Sequence, residues 1–113
     1  MHELAIAESI LSVVLSQAEA NKAKKITRVN LKIGKMAVVV NDYLCYCFEL
    51  ISKDTIAKGA EVEIEEIPIK RRCLACEKEF EGEYLGLICS DCGAVGLELI
   101  SGRELAVESI EIE

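Results

Sequence analysis

Residues 105–112 read Leu105-Ala106-Val107-Glu108-Ser109-Ile110-Glu111-Ile112, and the apolar phase changes in the middle of them. Leu105 and Val107 share one parity and Ile110 and Ile112 the other, so a regular pleat would send the two pairs to opposite faces of a sheet. A bulge or a strong twist resolves the conflict, as in a strand that leaves one environment and enters another. The pattern therefore predicts that the last residues return to a sheet begun much earlier, which makes the stretch before them an insertion and not a tail.

Upstream, residues 97–100 and 103–107 flank Ser101-Gly102. Glycine's tolerance of positive φ predicts a tight hairpin turn there. Between residues 70 and 96 the hydrophobic periodicity lapses and cysteines, glycines and charges take over. That is the composition of a module held by a metal and not by a core.

Earlier segments are regular. In residues 4–20, Ala7, Ile10, Leu11, Val14 and Ala18 recur at helical steps, with Glu8, Ser12, Ser16 and Glu19 on other faces. Residues 26–33 alternate, with Val29, Leu31 and Ile33 facing one way and Arg28, Asn30 and Lys32 the other, as a half-buried strand does. Asn41 or Asp42 is expected to cap a second helix whose buried stripe is Leu44, Cys47, Phe48 and Ile51. In residues 60–65, Val62 and Ile64 alternate with Glu61, Glu63 and Glu65. Pro68, the only proline, has no amide for a ladder and marks a change of direction or partner. The expected fold class is α+β: a small mixed three-stranded sheet with two helices, plus an inserted zinc-ribbon-like four-cysteine module.

The chain has 113 residues, 51% of them apolar, 29% charged and 4% aromatic, enough for one core and a small satellite module. Thirteen basic against twenty acidic residues give a net charge of −7. Residues 1–79 hold twelve of each sign, so the whole excess falls in the last third. Such a field repels a phosphate backbone unless a local basic face compensates. Lys70, Arg71 and Arg72 are the one candidate face, and they motivate the alternative of a zinc-ribbon interaction or nucleic-acid-binding module. Glu77, Glu79, Glu81 and Glu83 follow closely and point to a solvated, partly neutralised surface with no nucleic-acid partner. No apolar run approaches the roughly 20 residues of a spanning helix, so no membrane association is expected. Met1-His2-Glu3 has no positive region ahead of an apolar stretch, which predicts a cytoplasmic protein.

Cys73-Leu74-Ala75-Cys76 and Cys89-Ser90-Asp91-Cys92 are two C-x2-C pairs separated by twelve residues. Each turn can aim two thiolates at one point, and a hairpin between them closes a tetrahedral sulfur site. Zinc suits such a site at no ligand-field cost; iron in a rubredoxin-like site is the competing metal, and the scarcity of shielding aromatics favours zinc. Redox pairs or a disulfide framework are the remaining alternatives. Four protein ligands leave no open position for water, so the role is structural. Cys45 and Cys47, two apart on a helix, point to different sides and read as small buried side chains.

The single histidine is His2. A histidine at a chain terminus is commonly just solvated, but Met1-His2-Glu3 gathers an α-amine, an imidazole, backbone amides and a carboxylate within three residues. That nitrogen-rich set suits the tetragonal preference of Ni(II) or Cu(II). Amine and imidazole bind only when deprotonated, with reference pKa values near ~7.7 and ~6.5, so affinity should fall below neutral pH. A second histidine, an open metal position and a glycine-rich phosphate loop are all missing from the sequence, so no enzyme is expected.

Taken together, Met1-His2-Glu3-Leu4, the strand Arg28-Val29-Asn30-Leu31-Lys32-Ile33-Gly34, residues 44–50, Gly59-Ala60-Glu61-Val62-Glu63-Ile64, the two C-x2-C pairs, Ser101-Gly102-Arg103-Glu104-Leu105 and Val107-Glu108-Ser109-Ile110 resemble the HypA/HybF family. That family comprises nickel metallochaperones of [NiFe]-hydrogenase maturation, and the resemblance covers nearly the whole chain. It implies that His2 is the principal nickel ligand with Glu3 nearby, and that Cys73, Cys76, Cys89 and Cys92 hold a structural zinc. It further implies a nickel-binding α/β domain of residues 1–68 and 105–113, with a zinc-binding domain inserted at 69–104. Similar proteins work with a nickel-handling accessory GTPase and deliver the ion to the hydrogenase large subunit, and a homodimer is compatible with the pattern. Lys35-Met36-Ala37-Val38-Val39-Val40 departs from the family's usual acidic residue and serine.

Overall fold

A computed structural model describes residues 2–82 and 88–113. In chain order the elements are helix α1 (Glu3–Ala20), strand β1 (Ile26–Gly34), a 3-10 turn (Lys35–Ala37), helix α2 (Asn41–Ile51), and strands β2 (Glu61–Ile67), β3 (Lys70–Cys73), β4 (Glu79–Glu81), β5 (Leu97–Ser101) and β6 (Leu105–Ile112). Two three-stranded sheets result, ordered β2-β1-β6 and β4-β3-β5. The first is mixed: β1 runs parallel to β2 and antiparallel to β6. The second is antiparallel throughout. The class is α+β, as the sequence pattern predicts.

Strand β1 is central because its alternation gives it one dry face. Val29, Leu31 and Ile33 are buried under the two helices, whose own buried residues are Ala7, Ile10, Val14 and Ala18 on α1 and Leu44, Cys47 and Phe48 on α2. Small residues at 7 and 18 let α1 lie close, while Val62, Ile64, Val107 and Ile110 close the flanks. The opposite face is polar. There Arg28 reaches Glu61 and Glu63 of β2 at 3.0 Å and Glu111 of β6 at 2.9 Å, tying all three strands across their solvent side. Such exposed pairs contribute modestly to stability but fit only one register.

The parity change in β6 is a bulge. Asn30 pairs with Ser109 but Leu31 with Val107, so Glu108 is the extra residue. Glu108 turns its carboxylate to Lys32 at 3.5 Å. A second irregularity, at Thr27 between Ile26 and Arg28, is covered by the Thr27 hydroxyl, which donates to the Glu111 carbonyl at 3.1 Å. With the bulge at Glu108, Val107 and Ile110 both reach the core side despite their odd spacing.

Two local expectations are corrected. Ser101-Gly102 is no hairpin turn: β5 pairs with β3 and β6 with β1, so the dipeptide carries the chain from one sheet to the other. The Gly102 carbonyl accepts from the Met36 amide at 2.8 Å, and its amide donates to the Glu104 carboxylate at 2.7 Å. Gly102 has φ +119°, and a Cβ there would press on the Ile69 Cα at 3.0 Å. The second correction concerns α2, whose N-cap is Val40 with no side-chain cap. Asn41 and Asp42 lie inside the first turn, where the Asp42 carboxylate still complements the positive helix end.

Gly34 and Gly102 cross where the two sheets meet. A Cβ on Gly34 would collide with the Gly102 carbonyl and the Arg103 amide, both backbone groups that cannot step aside. Gly34→Ala is therefore expected to destabilise the fold by about 2–3 kcal/mol in urea unfolding, as overpacking does. Gly59→Ala, at φ +77° with open space around it, should cost about 1 kcal/mol. Equal costs would contradict the crossing.

Candidate metal centres

Helix α1 starts immediately after His2, whose carbonyl accepts the first helical bond from the Ile6 amide at 3.1 Å. The His2 side chain is exposed and borders a groove of about 590 Å³ between α1 and β6, lined by Ile6, Ile10, Val13, Leu105 and Val107 among others. Amides in the first turn of a helix have no intrahelical acceptor, so backbone nitrogens beside His2 are free of the ladder. The same helix end carries partial positive charge, which resists a cation by about 0.3–1 kcal/mol. The α-amine of Met1, part of the expected chelate, lies outside the described residues.

Glu3 is not a solvated carboxylate. It is buried at 6% exposure, and its Oε2 accepts the Val40 amide at 3.1 Å. Val40 is the N-cap of α2 and has no side-chain cap, so the carboxylate at the start of one helix accepts an amide at the start of the other. The Val40 amide, then Glu3's own amide, hold its pKa below the usual 4.5 against the opposing effect of burial. No sequence signal marks this contact, because its partner is a main-chain group 37 residues away.

Residues around the four cysteines form two matching knuckles. In the first, the Cys73 sulfur accepts from the amides of Ala75 and Cys76 at 3.4 and 3.5 Å, and the Glu77 amide donates to the Cys73 carbonyl at 2.9 Å. In the second, the Cys92 amide donates to the Cys89 sulfur at 3.5 Å and the Gly93 amide to the Cys89 carbonyl at 2.9 Å. Each knuckle turns out through a left-handed residue, Glu77 at φ 64° and Gly93 at φ 74°.

All four sulfurs lie within 4.8 Å of one another, with Cys73 to Cys92 at 3.6 Å and Cys76 to Cys89 at 3.7 Å. A sulfur tetrahedron around a metal at ~2.3 Å has edges of about 3.8 Å, so the donor set fits a tetrahedral thiophilic ion. A disulfide needs about 2.05 Å, so neither pair is bonded at these separations. Cys73 and Cys89 are buried, whereas Cys76 and Cys92 reach the surface.

Electrostatics point the same way. Amides of Cys76 and Ala75 draw the Cys73 thiol down to about 6. The Ala94 amide also favours the Cys92 thiolate, but Cys73, burial, Cys89 and Cys76 together push it up to about 12. Cys76 is raised as well: the Lys78 amide opposes the shift, while burial, Cys73 and Cys89 drive it. Four thiolates cannot share this space on their own, and a divalent cation removes the conflict.

Cys47 is buried in the core and Cys45 is half-buried on α2, its thiol raised by burial and by Asp42. The basic run falls on β3, the central strand of its sheet, where Arg72 pairs in register with Glu79 and Glu98 and reaches the Glu98 carboxylate at 3.4 Å. Arg71 and Lys70 face Phe80 and Glu81 on the same neighbour. Among the described residues, no helix is long and apolar enough to cross a membrane.

The family model described as hydrogenase/urease nickel incorporation, metallochaperone, hypA matches residues 1–112. The chain belongs to the HypA family. A hydrogenase maturation factor HypA from Dehalococcoides mccartyi is 43% identical over 113 residues, covering all of this chain and 95% of that protein. The fold agrees with two solution structures. One is of HypA protein, at 24% identity and TM-score 0.77, covering 100% of this chain and 97% of that one. The other is of the Ni metallochaperone HypA from Helicobacter pylori, at 23% identity and TM-score 0.68, covering 99% and 97%. The chain is accordingly a HypA-type nickel-incorporation metallochaperone of hydrogenase maturation, and not an enzyme.

The Glu3 contact has a pH signature. Its folded pKa lies below the unfolded 4.5, so its stabilisation is complete above pH 4.5 and is lost as pH falls through the folded value. Glu3→Gln cannot titrate. In urea unfolding, the stability advantage of wild type over this variant should be constant above pH 4.5 and shrink below it; an advantage independent of pH would contradict the assignment.

Proposed function

We propose that the chain carries Ni(II) at its amino terminus, with His2 as principal ligand and Glu3 and backbone nitrogens nearby. It delivers the ion in the cytoplasm to the hydrogenase large subunit, together with a nickel-handling accessory GTPase. In the same reading Cys73, Cys76, Cys89 and Cys92 hold a structural zinc. Residues 1–68 and 105–113 act as the nickel-binding domain and residues 69–104 as an inserted zinc-binding domain.

The observation that carries this reading is the separation of two donor sets of opposite character. The sulfur set is closed, convergent and supported by amides on both knuckles, which suits a metal that stays. His2 is exposed at a helix end whose dipole disfavours a cation, which suits a metal that leaves. A carrier needs that asymmetry, because its cargo must pass to a site with more or stronger ligands. Glu3 supports the arrangement by pinning the start of α1 to the start of α2, so that His2 is presented from a fixed point.

The test is Ni(II) titration of untagged protein beside His2→Ala and a form extended at the amino terminus. Loss of nickel binding in both, with zinc content unchanged, is expected. Nickel uptake by His2→Ala at wild-type affinity would overturn the assignment.

A further inference from the structure

Lys78 lies two residues beyond Cys76, and its carbonyl accepts the Cys73 amide at 2.9 Å, so its backbone is part of the first knuckle. Asp91 lies between Cys89 and Cys92, inside the second. Their charged ends meet at 2.8 Å, a single ion pair spanning the two halves of the sulfur cluster. The ammonium also stands 5.7 Å from the centre of the Phe80 ring on β4, which fixes the side chain from the other side. Cys89 and Cys76 act on it electrostatically as well as Asp91.

We propose that the Lys78–Asp91 pair is a clasp on the four-sulfur site, joining the two knuckles and setting a cation beside the thiolates, and that it slows loss of the metal. Four thiolates around a divalent ion carry a net charge of about −2, and neither C-x2-C turn contains a basic side chain of its own. Lys78 offsets part of that charge. For the metal to escape, one knuckle must swing away from the other, and the clasp is broken in that motion. Lys78 is a positioning residue here, since it touches Asp91 and Phe80 and not the metal.

Both side chains are about half exposed, and isolated pairs of that kind contribute little, so the expected effect is several-fold in rate. The inference rests on the zinc reading of the site, so the first measurement is zinc content of the wild-type chain. Absence of zinc there overturns both readings. Release of zinc to excess chromophoric chelator is then followed at neutral pH. Lys78→Met, which keeps an unbranched stem over Phe80, is expected to release zinc about five-fold faster, Lys78→Arg about as slowly as wild type. Asp91→Asn should accelerate release comparably, and the double variant Lys78→Met with Asp91→Asn should be no faster than either single one. The cadmium-113 resonance of the substituted site should move in Lys78→Met and stay in Lys78→Arg, a distinction that general loosening would not produce. Zinc-loaded variants that release at the wild-type rate, or single effects that multiply in the double variant, would overturn the clasp alone.

Discussion

Strand β1 must be paired on both edges and covered on one face, and the order of the chain supplies those partners from far apart. Its parallel neighbour β2 arrives after α2, while its antiparallel neighbour β6 arrives only at the end, after the whole cysteine module. Without β6 the ladder groups along one edge of β1 would be exposed beside a core that contains Val29, Leu31 and Ile33. The sulfur module is therefore held between two strands that the core requires, and the Gly34–Gly102 crossing is where that demand brings the sheets into backbone contact.

The proposed division between the two donor sets is consistent with this constraint. Among the described residues of the module, Ile69, Cys73 and Cys89 are the buried apolar ones. A metal can stabilise such a module by the same bonds that define its shape. The amino terminus has the reverse character: the helix behind it is well packed, so nothing in the fold needs a metal there. In the proposed reading, an ion bound there comes and goes without the core responding.

Much of this was legible in the residues. The parity change between Val107 and Ile110 announced a bulge because hydrophobic burial leaves a two-residue period no freedom, and the spacing of Cys73, Cys76, Cys89 and Cys92 announced convergence because thiolates at that interval have few other uses. What escaped has a common cause. Ser101-Gly102 has turn chemistry, but local chemistry does not say with which strands its flanks pair, and the partners are β3 for β5 and β1 for β6. Glu3 was indistinguishable from a surface carboxylate because its partner is a backbone amide, and nothing in the sequence joins Lys78 to Asp91, thirteen residues further on, before the knuckles fold over each other.

The central claim is that nickel and the sulfur site never share ligands. X-ray absorption at the nickel edge, on untagged protein carrying both metals at neutral pH, tests it most directly. The account predicts scattering from nitrogen and oxygen neighbours with an imidazole signature and no sulfur. Sulfur in the first coordination sphere of nickel would place the cargo among the cysteines and contradict the division of labour between the two ends of the molecule.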